Sequence, residues 1–324
     1  MPVVWSDRCL LHEPGKEVWV GLPMPATEVP ARATAILDVL DARVVEAQPH
    51  PDEALLAVHD AELVDYLRRA WDEWDSAGLP VEPGQDRVVP YVFAHRELSP
   101  RRAPAAVWAR PGFFVYDTMT LVGPGTWEAA RAAADCALTA VDLVLGGAPA
   151  AYACTRPPGH HVTRAAHGGS CYLNNAAIAA AALPRPVAVV DIDAHHGNGT
   201  QEIFRSDDDV LTGSVHVDPG EGWFPHFLGF ADESDDSNLN LPVAPGSGDE
   251  PWIAAVEQLA RFAGDARALV IALGVDAAAG FRQAGRALGG LGLPTVIVQE
   301  GGYDLDTIGG LVRETLLGFE EAKT

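Results

Sequence analysis

Cysteine is scarce: four in 324 residues, at positions 9, 136, 154 and 171. They form no Cys-x-x-Cys pair and no dense framework. That argues against a disulfide scaffold or a zinc ribbon, and four free thiols in a reducing compartment are expected. Basic residues are also few. Lys and Arg total 22 against 45 Asp and Glu, a formal net charge of −23. This balance argues against a nucleic-acid partner and favours a small cationic one at the mouth of an acidic cleft. No apolar run reaches the roughly 20 residues of a membrane span. The N-terminus, Met1 to Ser6, lacks the basic flank and apolar core of a secretion signal. A cytoplasmic protein with no membrane partner is the expectation. Internal repeats and low-complexity tails are absent too, so one domain over residues 1–324 is expected.

What is present is an ordinary globular composition, 48% hydrophobic and 21% charged, enough to build a sizeable core. Val3 to Trp5 and Val44-Val45 read as short strands, and residues 12–30, rich in Pro and Gly, as loop. Pro30 opens a helix with Ala33, Ile36, Leu37 and Leu40 on one face. Asp60 and Thr126 are the expected caps of two further helices, the second Ala-rich and ending at Gly146-Gly147. Between them, residues 78–112 carry repeated Pro, scattered aromatics and Arg96, Arg101, Arg102 and Arg110. A loop this long is usually a lid, a binding loop or an oligomer contact. From 150 onward apolar strands alternate with helices: 152–155, 187–190, 210–217, 268–273 and 295–298, with helices from 176, from 251 (capped by Asp249) and from about 306. That alternation predicts an α/β fold, a mostly parallel central sheet covered by helices on both faces.

Polar residues collect where the buried strands end, the edge at which parallel sheets bind ligands. Arg156-Pro-Pro-Gly-His-His161 follows one strand. Asp191-Ile-Asp-Ala-His-His-Gly-Asn-Gly199 closes another. Gly274-Val-Asp276 and Gln299-Glu-Gly-Gly-Tyr303 close two more. Asp191 and Asp193 lie two apart and so face one side of a strand. Carboxylates at the edge of a core need a cation or hydrogen-bond donors. Asp193, His195 and Asp276 form a plausible three-ligand metal site with one position open, the form a catalytic zinc takes. His160 and His161 are acid/base groups in range of it, and Tyr303 is an oxygen donor. Any one of these clusters alone is as compatible with an ordinary surface loop. Four converging on one sheet edge are hard to explain by packing.

These motifs resemble those of the zinc-dependent histone deacetylase superfamily. Gly168-Gly-Ser-Cys-Tyr-Leu-Asn-Asn175, Ser214-Val-His-Val-Asp-Pro219 and Phe224-Pro-His-Phe-Leu-Gly-Phe-Ala-Asp-Glu233 add to the likeness. It spans nearly the whole chain. Pro124-Gly-Thr-Trp-Glu128 and the 78–112 insertion are most similar to the prokaryotic acetylpolyamine amidohydrolases. The resemblance implies an arginase/deacetylase-like fold and one Zn²⁺ held by Asp193, His195 and Asp276, which polarises an amide carbonyl and brings its water to a pKa of about 7. It implies His161 as general base and then acid, oriented by Asn198. His160 is charged through Asp191, and Tyr303 is the oxyanion donor. It implies K⁺ near Ser214 and the Asp191–His195 loop. Phe224, Gly169, Ser170, Gly301 and Gly302 line a substrate tunnel. A homodimer formed through the insertion is implied, with a small acylated amine as substrate.

Three departures matter. Ser170 replaces an aromatic expected opposite Phe224, which predicts a wider entrance. The segment after Asp276 is short, which predicts a looser hold on that ligand. The insertion is rich in Arg and poor in acids, Glu97 being one of few, so Glu17, Asp218 or Glu221 would have to meet a cationic substrate. Acetyl-lysine in protein is the alternative substrate. An arginase-like dimanganese hydrolase and a non-catalytic binding homologue are the alternative functions. Tyr303 argues against the first of these and the intact ligand set against the second.

Overall fold

A computed structural model describes residues 1–79, 87–95, 97 and 102–323. Of the insertion's arginines, Arg96 and Arg101 lie outside the described residues. The strands are β1 (Val3–Trp5), β2 (Lys16–Trp19), β3 (Leu22–Pro25), β4 (Val44–Glu46), β5 (Ala150–Ala153), β6 (Val187–Asp191), β7 (Val210–Val217), β8 (Asn238–Val243), β9 (Ala268–Leu273) and β10 (Thr295–Gln299). The α-helices are α1 (Ala31–Leu37), α2 (Glu53–Leu56), α3 (Ala61–Ser76), α4 (Pro111–Phe114), α5 (Thr126–Leu145), α6 (Asn175–Ala182), α7 (Asn198–Phe204), α8 (Asp249–Phe262), α9 (Phe281–Gly289) and α10 (Ile308–Glu321).

Eight strands form one sheet in the order β4-β1-β5-β10-β9-β6-β7-β8, and every neighbouring pair is parallel. The central strands are buried along their whole length, as β9 with Ala268 to Leu273 shows. A parallel sheet needs both faces covered, and that is why these strands read as unbroken apolar runs rather than alternating ones. The four strands that end in the polar clusters, β5, β10, β9 and β6, are neighbours at the centre of the sheet. Their carboxyl ends therefore open onto one place.

Several details differ from the expectation. Residues 16–25 form the antiparallel hairpin β2–β3. Its residues are mostly exposed, so no buried alternation marks it as strand. β8 carries alternating Asn and Leu on an edge position and was not among the predicted strands. Gly125, at φ +75°, precedes α5 in place of the expected cap Thr126. The Thr126 hydroxyl instead accepts the Gly123 N–H at 2.9 Å. Asp249 lies inside α8, and its Oδ1 accepts the Ala279 N–H at 2.8 Å. Asn174 caps α6, accepting from Ala177 N at 2.9 Å.

One buried histidine gives a pH prediction. His167 is packed between Tyr66 and Tyr172, and both its ring nitrogens are buried with no hydrogen-bond partner among the described residues. Burial pulls its pKa from 6.5 to about 3. The unfolded chain takes up this proton near pH 6.5 and the folded chain does not, so stability is full above 6.5 and lost as pH falls toward 3. At pH 5 the loss is about 2 kcal/mol from this residue. Urea unfolding of His167→Phe at pH 8 and pH 5 should show a smaller acid penalty than the parent. An unchanged penalty would count against the assignment.

Candidate active site

The strand ends bring Asp193, His195 and Asp276 together, with one ligating atom from each lying within 4.8 Å of the others. Asp193 lies just past β6 and Asp276 just past β9, which pair in register from Val187↔Ala268 to Asp191↔Ala272. His195 Nδ1 is 3.1 Å from Asp193 Oδ1 and 3.5 Å from Asp276 Oδ2. Asp193 Oδ2 accepts the Gly301 N–H at 2.7 Å and Asp276 Oδ1 the Ala194 N–H at 3.0 Å. Asp276 Oδ2 is buried with no hydrogen-bond partner among the described residues.

These residues fit a divalent cation. Burial works against the imidazolium of His195, but Asp193 and Asp276 hold its pKa up to about 10. Burial also pushes the Asp193 carboxyl up, but His160 and His195 together hold it well below the usual range. Two carboxylates thus demand positive charge beside them, an oxygen of one is left unsatisfied, and the donor types suit zinc.

His160 and His161 stand beside this group, ring centroids 4.0 Å apart, in different states. His160 Nδ1 lies 2.8 Å from Asp191 Oδ2. Burial disfavours its charge, yet Asp191 and Asp193 raise its pKa to about 10. His161 has only the amide oxygen of Asn198, 2.7 Å from Nδ1. Burial first, then the charges of His160 and His195, lower its pKa well below 6.5. At neutral pH one ring is a fixed cation and the other a neutral base. The pattern of one carboxylate partner and one amide partner separates them.

The walls are partly as expected. A pocket of about 230 Å³ is lined by Glu17, Thr27, Met119, His161, Gly169, Ser170, His195, Phe224 and Tyr303. Gly301 and Gly302 are not among its lining residues. They lie beneath it, where a Cβ on Gly301 would press on Asp193 and on Asp276 Oδ2 at 2.8 Å. Tyr303 keeps its phenol proton, since burial pushes its pKa well above 10. Opposite Phe224 stands Tyr116, nearly parallel to it with centroids 6.2 Å apart. Tyr116 comes from another loop and is not among the residues that line the pocket. The short segment after Asp276 is tied down: Ala279 is held by Asp249, and Phe281 packs on Trp252 at 4.8 Å. Ser214 Oγ lies 2.8 Å from His216 Nδ1. It lines a cavity of about 10 Å³ shared with Asp191, Gln201, Asn238 and Asn240.

Three supports were not read from the sequence. Glu300 Oε2 accepts the N–H groups of Gly159 at 2.6 Å and His160 at 3.1 Å, fixing the loop that carries both histidines. Arg32, fully buried, donates to the carbonyls of Gly302 and Glu300 at 2.6 Å each and lies 4.5 Å from the Tyr303 ring centre. Glu28 pairs with both Arg32 and Arg156, at 2.8 and 3.0 Å. The available signal was an arginine set among alanines on the apolar face of α1.

Comparison with known proteins gives the same picture. The chain is 38% identical, over an alignment 351 positions long, to acetylpolyamine amidohydrolase 1 of Pseudomonas aeruginosa, covering 98% of this chain and 99% of that one. It is 36% identical to the acetylpolyamine amidohydrolase of Mycoplana ramosa, over 98% and 99%. The crystal structure of the acetylpolyamine aminohydrolase from Burkholderia pseudomallei superposes with a TM-score of 0.91 at 36% identity, covering 99% of each chain. The histone deacetylase domain model matches residues 26–318, and the chain belongs to the histone deacetylase family.

Proposed function

We propose that this protein is a metal-dependent deacetylase that hydrolyses acetylated polyamines, with Zn²⁺ held by Asp193, His195 and Asp276. The carrying observation is the pairing of that ligand group with a neutral His161 and a charged His160 beside the pocket that His161 and His195 line. When bound, the ion would polarise the scissile carbonyl and acidify water. His161 takes a proton from the attacking water and returns it to the leaving amine. His160 stays charged and stabilises the developing negative charge, and the Tyr303 phenol donates to the oxyanion. The amide C–N bond breaks, giving acetate and a free amine. The small polar cavity beside Asp191 and Ser214 supports a structural K⁺ there. A homodimer is supported by the insertion and by the bare hairpin residues Trp19, Val20 and Leu22, and sedimentation should give twice the 34.3 kDa chain mass.

The polyamine reading over acetyl-lysine in protein rests on Glu17, which β2 delivers into the pocket. Burial, and then Asp117, push its carboxyl up. That carboxylate gains most from a cationic neighbour. Zinc-loaded protein should release acetate from N-acetylputrescine. Glu17→Gln should raise KM for that substrate about tenfold, on the scale of one charge-assisted hydrogen bond. The same change should leave KM for N-butylacetamide, a chain without the distal amine, unaltered. No acetate from either substrate would refute the activity, and equal KM changes would refute the role of Glu17.

A further inference from the structure

Two neighbouring residues of the pocket wall, Gly169 and Ser170, have left-handed backbones, at φ +61° and +62°. Glycine adopts this conformation freely. A serine keeps it only where its surroundings hold it there, and residues held in this way cluster at functional sites. The wall stands hard against the rings of the site. A Cβ on Gly169 would strike the His161 ring and come within 2.9 Å of Phe224 Cε1. Any relaxation of Ser170 would shift this contact.

Both N–H groups of the wall are taken up by one hydrogen-bonded unit on the loop after α4. Asp117 Oδ2 accepts the Gly169 N–H at 2.6 Å and the Thr120 hydroxyl at 3.0 Å. That bond uses the hydroxyl's one proton, and its oxygen accepts the Ser170 N–H at 2.7 Å. Asp117 Oδ1 accepts the N–H groups of Met119 and Thr120 at 2.9 and 2.8 Å, which fixes the carboxylate. Neither Asp117 nor Thr120 is among the residues that line the pocket, and Thr120 is buried. Thr120 can therefore act on a bound substrate only through the wall.

We infer that Asp117 and Thr120 are positioning residues: their joined hydrogen bonds keep Ser170 left-handed and so set how closely the Gly169–Ser170 wall stands to His161 and Phe224. The inference deepens the deacetylase reading and rests on it for its effect on turnover. The backbone conformation itself does not depend on turnover.

Thr120→Val keeps the shape of the side chain and removes the oxygen. In its crystal structure Ser170 should leave the left-handed region. With zinc-loaded protein, kcat/KM should fall about fivefold, the scale of one neutral hydrogen bond. The fall should be equal for N-acetylputrescine and N-butylacetamide, because the wall does not sense the distal amine. Thr120→Ser, which restores the hydroxyl, should stay within about twofold of the parent. In a Ser170→Gly background the left-handed backbone carries no steric penalty. Thr120→Val should then change kcat/KM less than about twofold, a non-additivity that lost packing at position 120 would not produce. Ser170 remaining at positive φ in Thr120→Val overturns the inference. So does an equal loss in both backgrounds, or a loss confined to N-acetylputrescine. Should the valine variant fail to fold, Thr120→Ala, which brings no added methyl against the Ser170 N–H, carries the same comparisons. If the parent turns over neither amide, the activity fails while the φ of Ser170 still decides the role of Asp117 and Thr120.

Discussion

Alanine at position 161 is expected to lower kcat by about 10³-fold, within the range that a positioned acid–base group supplies. The size follows from the lack of a substitute. His160 is 4.0 Å away, ring centre to ring centre, but its pKa of about 10 leaves it protonated at neutral pH. Asp191, which could accept a proton, is already engaged with His160 Nδ1 at 2.8 Å. His161 alone is held neutral, by burial and by the positive ring of His160. It also lines the pocket. Because His161 stands outside the Asp193–His195–Asp276 group, zinc content should not change. Turnover of N-acetylputrescine, with zinc measured on the same samples, is the check. Residual activity within tenfold of the parent would mean that another group moves the proton.

The second large effect is expected at Asp276. Its Oδ1 anchors the Ala194 N–H and its Oδ2 is the buried oxygen without a partner. Asp276→Ala removes both functions. Asp276→Asn keeps an acceptor for Ala194 and removes the charge. Changing only an outer partner of a metal ligand costs 10–100-fold in metal affinity, so losing the ligand should cost at least about 100-fold. Both variants should weaken Zn²⁺ binding in competition with a chromophoric chelator, and acetate release should fall with it. If the asparagine variant binds zinc as tightly as the parent, Asp276 holds the loop rather than the ion.

The two arguments draw differently on the chain. The fold was legible because a parallel sheet buried on both faces needs apolar runs, and Val187–Val190 of β6, all of β9 and Val296–Val298 of β10 supply them. The proposed ligands Asp193, His195 and Asp276 could be named from the sequence because they follow closely on such runs. The hairpin β2–β3 was not, since its exposed residues alternate around no core. β8 was missed for a related reason: it lies at the sheet's edge and alternates Asn with Leu. Nor did the Ser170 substitution disclose its neighbour. Tyr116 lies 54 positions earlier, and nothing in either segment's spacing brings the two loops together.

The sequence by itself determined the order of strands and helices and the kinds of atoms offered at each strand end. It did so because local burial and ligand chemistry are properties of short segments. Only the folded chain decided which strand ends are neighbours, which of two adjacent histidines is charged, and which carboxylate reaches the pocket mouth. Those outcomes depend on distances of a few ångströms between residues far apart in the chain. Arg32 meeting Glu300 across 268 positions and His160 meeting Asp191 across 31 are contacts that only β-strand pairing and helix packing bring about.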